Sequence, residues 1–132
     1  MIDVYVDGAS SGNPGPSGAG IFIKGLPNGP ESYSIPLGVM TNHEAEYHAV
    51  IHALKICIDK QYKIVSFRTD SQLVEQAVDK EYVKKNLYQP LLQQILHLKD
   101  ELDLFFIKWI PSSQNKNADK LARAAIQLNK PI

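Results

Sequence analysis

Four of the 14 acidic side chains in this 132-residue sequence stand where a cation site could be built: Asp7, Glu46, Asp70 and Asp119. Four carboxylates brought together repel one another, and removal from water raises their pKa at a cost of roughly 1.4 kcal/mol per unit. A divalent cation removes that cost. Oxygen ligands with no Cys or His among them select a hard ion, Mg²⁺ or Mn²⁺, which completes its shell with water and phosphate oxygens. Each acid taken alone has a plainer reading. Asp at a strand end is a common turn former and helix cap, and Asp or Glu on a helix is usually solvated. The elements that carry the four acids therefore decide whether they can act together.

From Ile2 to Asp7 apolar Ile2, Val4 and Val6 alternate with Asp3, Tyr5 and Asp7, the period of a strand with one face in a core, with Asp7 at its end. Residues 8 to 18 hold four Gly, two Pro and three Ser, which predicts repeated turns and no continued ladder. Gly20 to Lys24 and Glu31 to Leu37 read as two further strands joined by a hairpin loop, Leu26 to Pro30. From Glu44 the period changes: Ala45, Ala49, Val50, Ala53, Leu54, Cys57 and Ile58 share one helical stripe, with Thr41 and Asn42 as N-cap candidates. Lys63 to Thr69 is strand-like and leads through Asp70 and Ser71 into a short helix. A helix over Asn86 to Glu101, a strand over Asp103 to Ile110 and a closing helix over Asn115 to Leu128 follow. The order βββαβααβα predicts an α/β fold, a five-stranded mixed sheet flanked by helices, because the later strands need crossovers to pair in parallel.

Composition bounds the rest. At 14.7 kDa and 44% apolar residues, one domain over residues 1 to 132 is expected. The longest apolar runs are far short of the roughly 20 residues that a membrane helix needs. Formal net charge is zero, so no overall basic field draws the chain onto a polyanion and any such contact must be local. Cys57 lies on the apolar stripe and is expected in the core. With no disulfide partner for it and no secretory pattern at Met1 to Val4, a cytoplasmic protein is expected.

The segments around the four acids share one pattern. Asp7-Gly8-Ala9-Ser10-Ser11-Gly12-Asn13-Pro14-Gly15 resembles the opening strand and glycine-rich turn of type I ribonuclease H. Thr41-Asn42-His43-Glu44-Ala45-Glu46 is similar to that family's TNxxAE segment, Thr69-Asp70-Ser71-Gln72 to its TDSQ segment, and Asn115-Lys116-Asn117-Ala118-Asp119-Lys120-Leu121-Ala122 to its NxxADxLA segment. The resemblance spans nearly the whole chain in the family's order, and a multi-part motif carries far less risk of coincidence than a lone pattern. It also chooses between Glu44 and Glu46, which sit about 200° apart on a helix of 3.6 residues per turn. Glu46 matches the motif; Glu44 is left to complement the helix dipole.

The resemblance implies a ribonuclease H-like fold and hydrolysis of the RNA strand of an RNA–DNA hybrid with two Mg²⁺ or Mn²⁺ ions. Asp7 would bridge the two, Asp119 hold one, and Glu46 and Asp70 hold the other. Two such ions activate the attacking water and stabilise the leaving oxygen, so no protein nucleophile is needed. By motif match Ser10, Gly12, Asn13, Thr41, Asn42 and Gln72 contact substrate, the 2′-hydroxyl being what separates RNA from DNA. Asn13 and Asn42 are equally good turn and cap residues. No obligate protein partner is implied, and a monomer is the default.

The chain departs from the family in three places. The stretch Ile110 to Asn115 lacks the histidine many members carry before the last helix, Asp79 to Tyr88 is short and only mildly basic where many bacterial members have a basic protrusion, and His43 replaces the family's second Asn. Each lost phosphate contact removes part of the counterion-release term in affinity, so weak, salt-sensitive hybrid binding is expected. Mn²⁺, more tolerant of imperfect ligand geometry, is expected to support faster turnover than Mg²⁺. A noncatalytic module that retains the acidic pocket stays open as an alternative, as does another nuclease chemistry on the same architecture. His48 and His52 have the i, i+4 spacing of a metal pair without a third ligand in the pattern, which favours plain surface placement. Trp109 is expected as core or sheet-edge packing rather than a base-stacking platform, and Lys84 and Lys85 as an ordinary solvated edge.

Overall fold

A computed structural model describes residues 1–129. Five strands, β1 (Ile2–Ser10), β2 (Gly15–Lys24), β3 (Glu31–Met40), β4 (Ile64–Thr69) and β5 (Leu104–Trp109), form one mixed sheet in the order β3-β2-β1-β4-β5. Four α-helices accompany them: α1 (Asn42–Asp59), α2 (Gln72–Lys80), α3 (Gln89–Lys99) and α4 (Lys116–Ile126), the last preceded by a short 3₁₀ turn at Ser112–Gln114. The meander β1-β2-β3 is antiparallel, and β1 pairs β4, and β4 pairs β5, in parallel. The expected mixed sheet and element order are therefore the observed ones. None of the described helices is long and apolar enough to cross a membrane.

The period-2 alternation sorts each central strand onto two faces. Val4 and Val6 of β1, Ile21 and Ile23 of β2, and Val65 and Phe67 of β4 are buried in one cluster with Tyr47, Val50, Ile51 and Leu54 of α1 and with Leu92 and Ile95 of α3. Cys57 is buried in the same cluster, and burial pushes its thiol up to about 12, as an inert core residue requires. Helix α4 covers the opposite face through Ala118, Ala122 and Ala125, all buried.

One expectation is corrected here. Residues 8 to 18 do not break the ladder: pairing continues through Gly8↔Ala19, Ala9↔Gly18 and Ser10↔Ser17, and only residues 11–14 lie outside strands. The small residues serve close approach as well as turning. A Cβ on Gly8 would meet the backbone of Ala45 and Glu46 in α1, and one on Gly18 or Gly20 would meet the backbone of α4. Smaller shifts occur at element ends. Strand β3 runs on to Met40, α3 starts at Gln89 with a proline in its first turn, and α4 spans Lys116–Ile126.

Candidate active site

Register brings the first two acids side by side. The last parallel pair of β1 and β4 is Val6↔Thr69, so Asp7 and Asp70 follow on neighbouring strands. Asp70 lies beyond the end of β4, whereas Asp7, expected at a strand end, lies inside β1 opposite Gly20 of β2. The carbonyl of Asp70 accepts a hydrogen bond from Trp109 Nε1 at 3.2 Å, so this tryptophan, at 40% exposed on the edge strand, fixes the main chain that presents the acid.

The other two acids arrive on helices. Thr41 caps α1 in a capping box: its hydroxyl oxygen accepts from Glu44 N at 3.3 Å, while Glu44 Oε1 accepts from Thr41 N at 3.0 Å. Glu44 is thus consumed by the helix end, and Glu46 faces the strands. Glu46 Oε1 accepts from Ser71 Oγ at 3.1 Å and lies 2.9 Å from His43 Nδ1; the same Ser71 oxygen caps α2 through Val74 N. Asp119 sits in the first turn of α4, where its carboxylate takes both of its oxygens to Arg123 Nε at 3.1 and 3.2 Å. The start of that helix is tied to β1 by Asn115, whose buried Nδ2 donates to Val6 O at 2.9 Å, one residue from Asp7.

All four acids line one cavity of about 340 Å³, together with Gly8, Ala9, Asn42, Ser112 and Arg123. Its electrostatics are those of a crowded anion site. Asp7 is 8% exposed, and burial first, then the charges of Asp70, Asp119 and Glu46, push its carboxyl up to about 9. Burial likewise raises Glu46, against the lowering effect of His43 and Ser71. Among the described residues no Lys, Arg or His pairs with Asp7 or Asp70. A hard divalent cation fits this donor set, with its oxygen-only ligands and a buried carboxyl that lacks a counter-ion. The four are not drawn tight: no three His, Cys, Asp or Glu side chains among the described residues are gathered into a ready ligand cluster, and two of the acids lean on His43 and Arg123.

Of the expected substrate contacts only Asn42 lines the cavity. Its backbone N–H donates to Asn13 Oδ1 at 3.1 Å, which ties the exposed β1–β2 hairpin to the start of α1. Ser10 Oγ donates to the carbonyls of Gly12 and Met40, and Thr41 Oγ1 donates to Glu44, so both hydroxyls are committed inside the fold. Gly12 and Gln72 are exposed outside the cavity wall. His48 and His52, expected on the surface, are half-buried on α1, and burial lowers both imidazoles. Lys84 and Lys85 are exposed. Two cavity residues were not read from the sequence, Ser112 and Arg123. The first has no local signal; the second stands four residues after Asp119, the spacing of a helical ion pair.

This arrangement of strands and acids is shared. Residues 5–125 match the family described as reverse transcriptase-like. The crystal structure of RNase H1 from the halophilic archaeon Halobacterium salinarum superposes with a TM-score of 0.90 at 31% identity, covering 97% of this chain and 98% of that one. The chain belongs to the ribonuclease H-like family. Within it, LC11-RNase H1, solved in complex with an RNA/DNA hybrid, matches with a TM-score of 0.88 at 32% identity over 97% of this chain and 98% of that one. The Enterococcus faecalis protein named "Putative hydrolase EbsB" is 42% identical over 129 residues, 96% of this chain and 95% of its own length. Ribonuclease HI of Halobacterium salinarum is 33% identical over 130 residues, 95% of this chain but 64% of that protein's length. The ribonuclease H-like fold and family expected from the four segments are thus the ones found.

Proposed function

We propose that this protein is an endoribonuclease that hydrolyses the RNA strand of RNA–DNA hybrids. The observation that carries the reading is the convergence of Asp7, Glu46, Asp70 and Asp119, from β1, α1, the β4–α2 junction and α4, on one cavity wall. These four residues would hold divalent Mg²⁺ or Mn²⁺. Bound there, the ions would neutralise the developing phosphorane charge and lower the pKa of a bound water. Asp7, the most buried of the four, stands at the centre of the set; Ser71 and His43 orient Glu46, and the Trp109 indole orients the Asp70 main chain. The substrate strand meets the hairpin backbone at Ser10, Gly12 and Asn13, the Asn42 side chain on the cavity wall and Gln72 at the start of α2. Thr41 contributes by fixing the helix start that presents Asn42, since its hydroxyl is already used.

Purified protein incubated with labelled RNA–DNA hybrid, RNA duplex, DNA duplex and single strands should cut the hybrid alone, and an Asp70→Asn variant should not. Cleavage of DNA duplex by the wild type would overturn the reading. A second reading, a hybrid-binding module that does not cut, is favoured by the pairing of two of the four acids with resident basic side chains; binding without cleavage in either metal would establish it. Parallel titrations should show faster turnover with Mn²⁺ than with Mg²⁺, and equal or slower turnover across the series would count against the tolerance argument.

A further inference from the structure

Arg123 is the one cationic side chain among the described residues lining the carboxylate cavity. It occupies the last turn of α4, four residues beyond Asp119, and its Nε reaches both carboxylate oxygens at 3.1 and 3.2 Å. Its side chain is nevertheless 72% exposed, against 41% for Asp119. The guanidinium therefore has a single partner and otherwise faces solvent. A cavity with four carboxylates and one guanidinium repels a phosphodiester, yet a phosphodiester is what the proposed reaction must bring there. On the proposed reading the acids are matched by bound cations, and Arg123 is then left with its charge and most of its planar donor fork unused. Such a fork suits a phosphate bidentately in a way that a lysine does not.

We infer that Arg123 is a two-position anion anchor: it is the counter-ion of Asp119 when the site holds no cation, and it binds a backbone phosphate of the substrate strand when Asp119 is taken up in ligation. This rests on the proposed hybrid-cleaving site. The stretch Ile110 to Asn115, which leads into α4, contains no Lys, Arg or His, and His43, the other base beside these acids, stands against Glu46 and is not part of the cavity lining. The inference has two consequences that a merely structural ion pair would not have. Arg123 competes with cations for Asp119, so its removal tightens cation binding. It also adds one phosphate contact, so its removal weakens substrate binding and flattens the salt dependence.

The test uses Arg123→Gln and Arg123→Lys beside the wild type, with folding checked by thermal melts. Calorimetric titration with Mn²⁺ in the absence of nucleic acid should show the Gln variant binding about threefold or more tighter than wild type, as expected when a direct counter-ion is lost. Steady-state cleavage of hybrid by Arg123→Gln should show KM raised about tenfold, a larger change than in kcat, and a slope of log KM against log salt smaller by about one phosphate contact. Arg123→Lys should restore the salt slope but only part of the KM, because a point charge replaces a fork. Unchanged Mn²⁺ affinity and an unchanged salt slope in an active Gln variant would overturn the inference while leaving the hybrid-cleaving reading intact. A wild type that takes up no Mn²⁺ and cuts no hybrid would overturn both.

Discussion

Replacement of Asp7 by Asn should abolish hybrid cleavage and, in the same protein, raise the melting temperature measured without divalent cations. The first effect follows from charge. The acid at the centre of the proposed set would contribute to several kcal/mol of transition-state stabilisation, and at about 1.4 kcal/mol per factor of ten its loss should cost roughly 10³-fold or more in rate. The second follows from burial. Asp7 is pushed up to about 9 from an ordinary value of 3.8, first by desolvation and then by its acidic neighbours. Between those values the folded carboxyl is protonated and the unfolded one ionised, so the wild type loses stability as pH rises through that window. Asn cannot ionise in either state and escapes the loss. The gap in melting temperature between variant and wild type should therefore widen from pH 5 to pH 8, reaching several degrees for a gain of about 1–2 kcal/mol, the usual scale at functional sites. Added Mg²⁺ should raise the wild type past the variant, by about 2.7 kcal/mol at a hundredfold excess over its Kd, and leave the variant nearly unmoved. A variant that melts below the wild type at pH 8 would show that Asp7 is paired in a way its surroundings do not reveal.

The contrast between these acids and their supports explains what the sequence disclosed. Strand alternation, the helical stripe from Ala45 to Ile58 and the junction at Asp70 are local patterns, and each element they predict is present. The motif segments chose Glu46 over Glu44, and the capping box on Thr41 supplies the reason Glu44 is unavailable. What stayed hidden depends on pairs of distant segments. The hydrogen bond from Asn115 to Val6 spans 109 positions, and the one from Trp109 to Asp70 spans 39. No periodicity reports either. Arg123 was legible in principle, because i, i+4 pairing is a local rule, but one such pair on a solvated helix has little meaning until its carboxylate is known to face a cavity. The glycines show the same limit from the other side. Gly8 and Gly18 read as turn formers, and Gly20 as a plain strand residue, because the sequence registers the missing side chain and not the helix that fills its place.

Those glycine contacts make Gly20→Ala the other change with a large expected effect. Gly20 pairs with Asp7 across β1 and β2, and on the α4 face a Cβ there would meet the Ala118 carbonyl and the Ala122 amide. Ala118 immediately precedes Asp119, so the approach of α4 to the sheet at this point sets the depth at which Asp119 enters the cavity. Gly8 plays the same part for α1, where its Cβ would meet the Ala45 carbonyl and the Glu46 amide. Two acids thus owe their positions to helix backbones seated directly on bare strand. Backbone cannot rotate aside as a side chain can, so the methyl must lift the helix, an overpacking cost of about 3 kcal/mol that lowers the melting temperature by roughly 10 °C. Cleavage should fall further than stability alone explains, since a displacement on the order of 1 Å at a reacting group can cost about a hundredfold. Assayed well below its melting temperature, Gly20→Ala should therefore bind Mn²⁺ more weakly and cut hybrid about a hundredfold more slowly, while Gly29→Ala, which has nothing within 4 Å of its would-be Cβ but a φ of +96° that strains alanine, should lose stability in the β2–β3 loop and still keep wild-type cleavage. Equal activity in both variants would mean that α4 can shift without moving Asp119, and the seating of helix on glycine would then lose its claim to set the site.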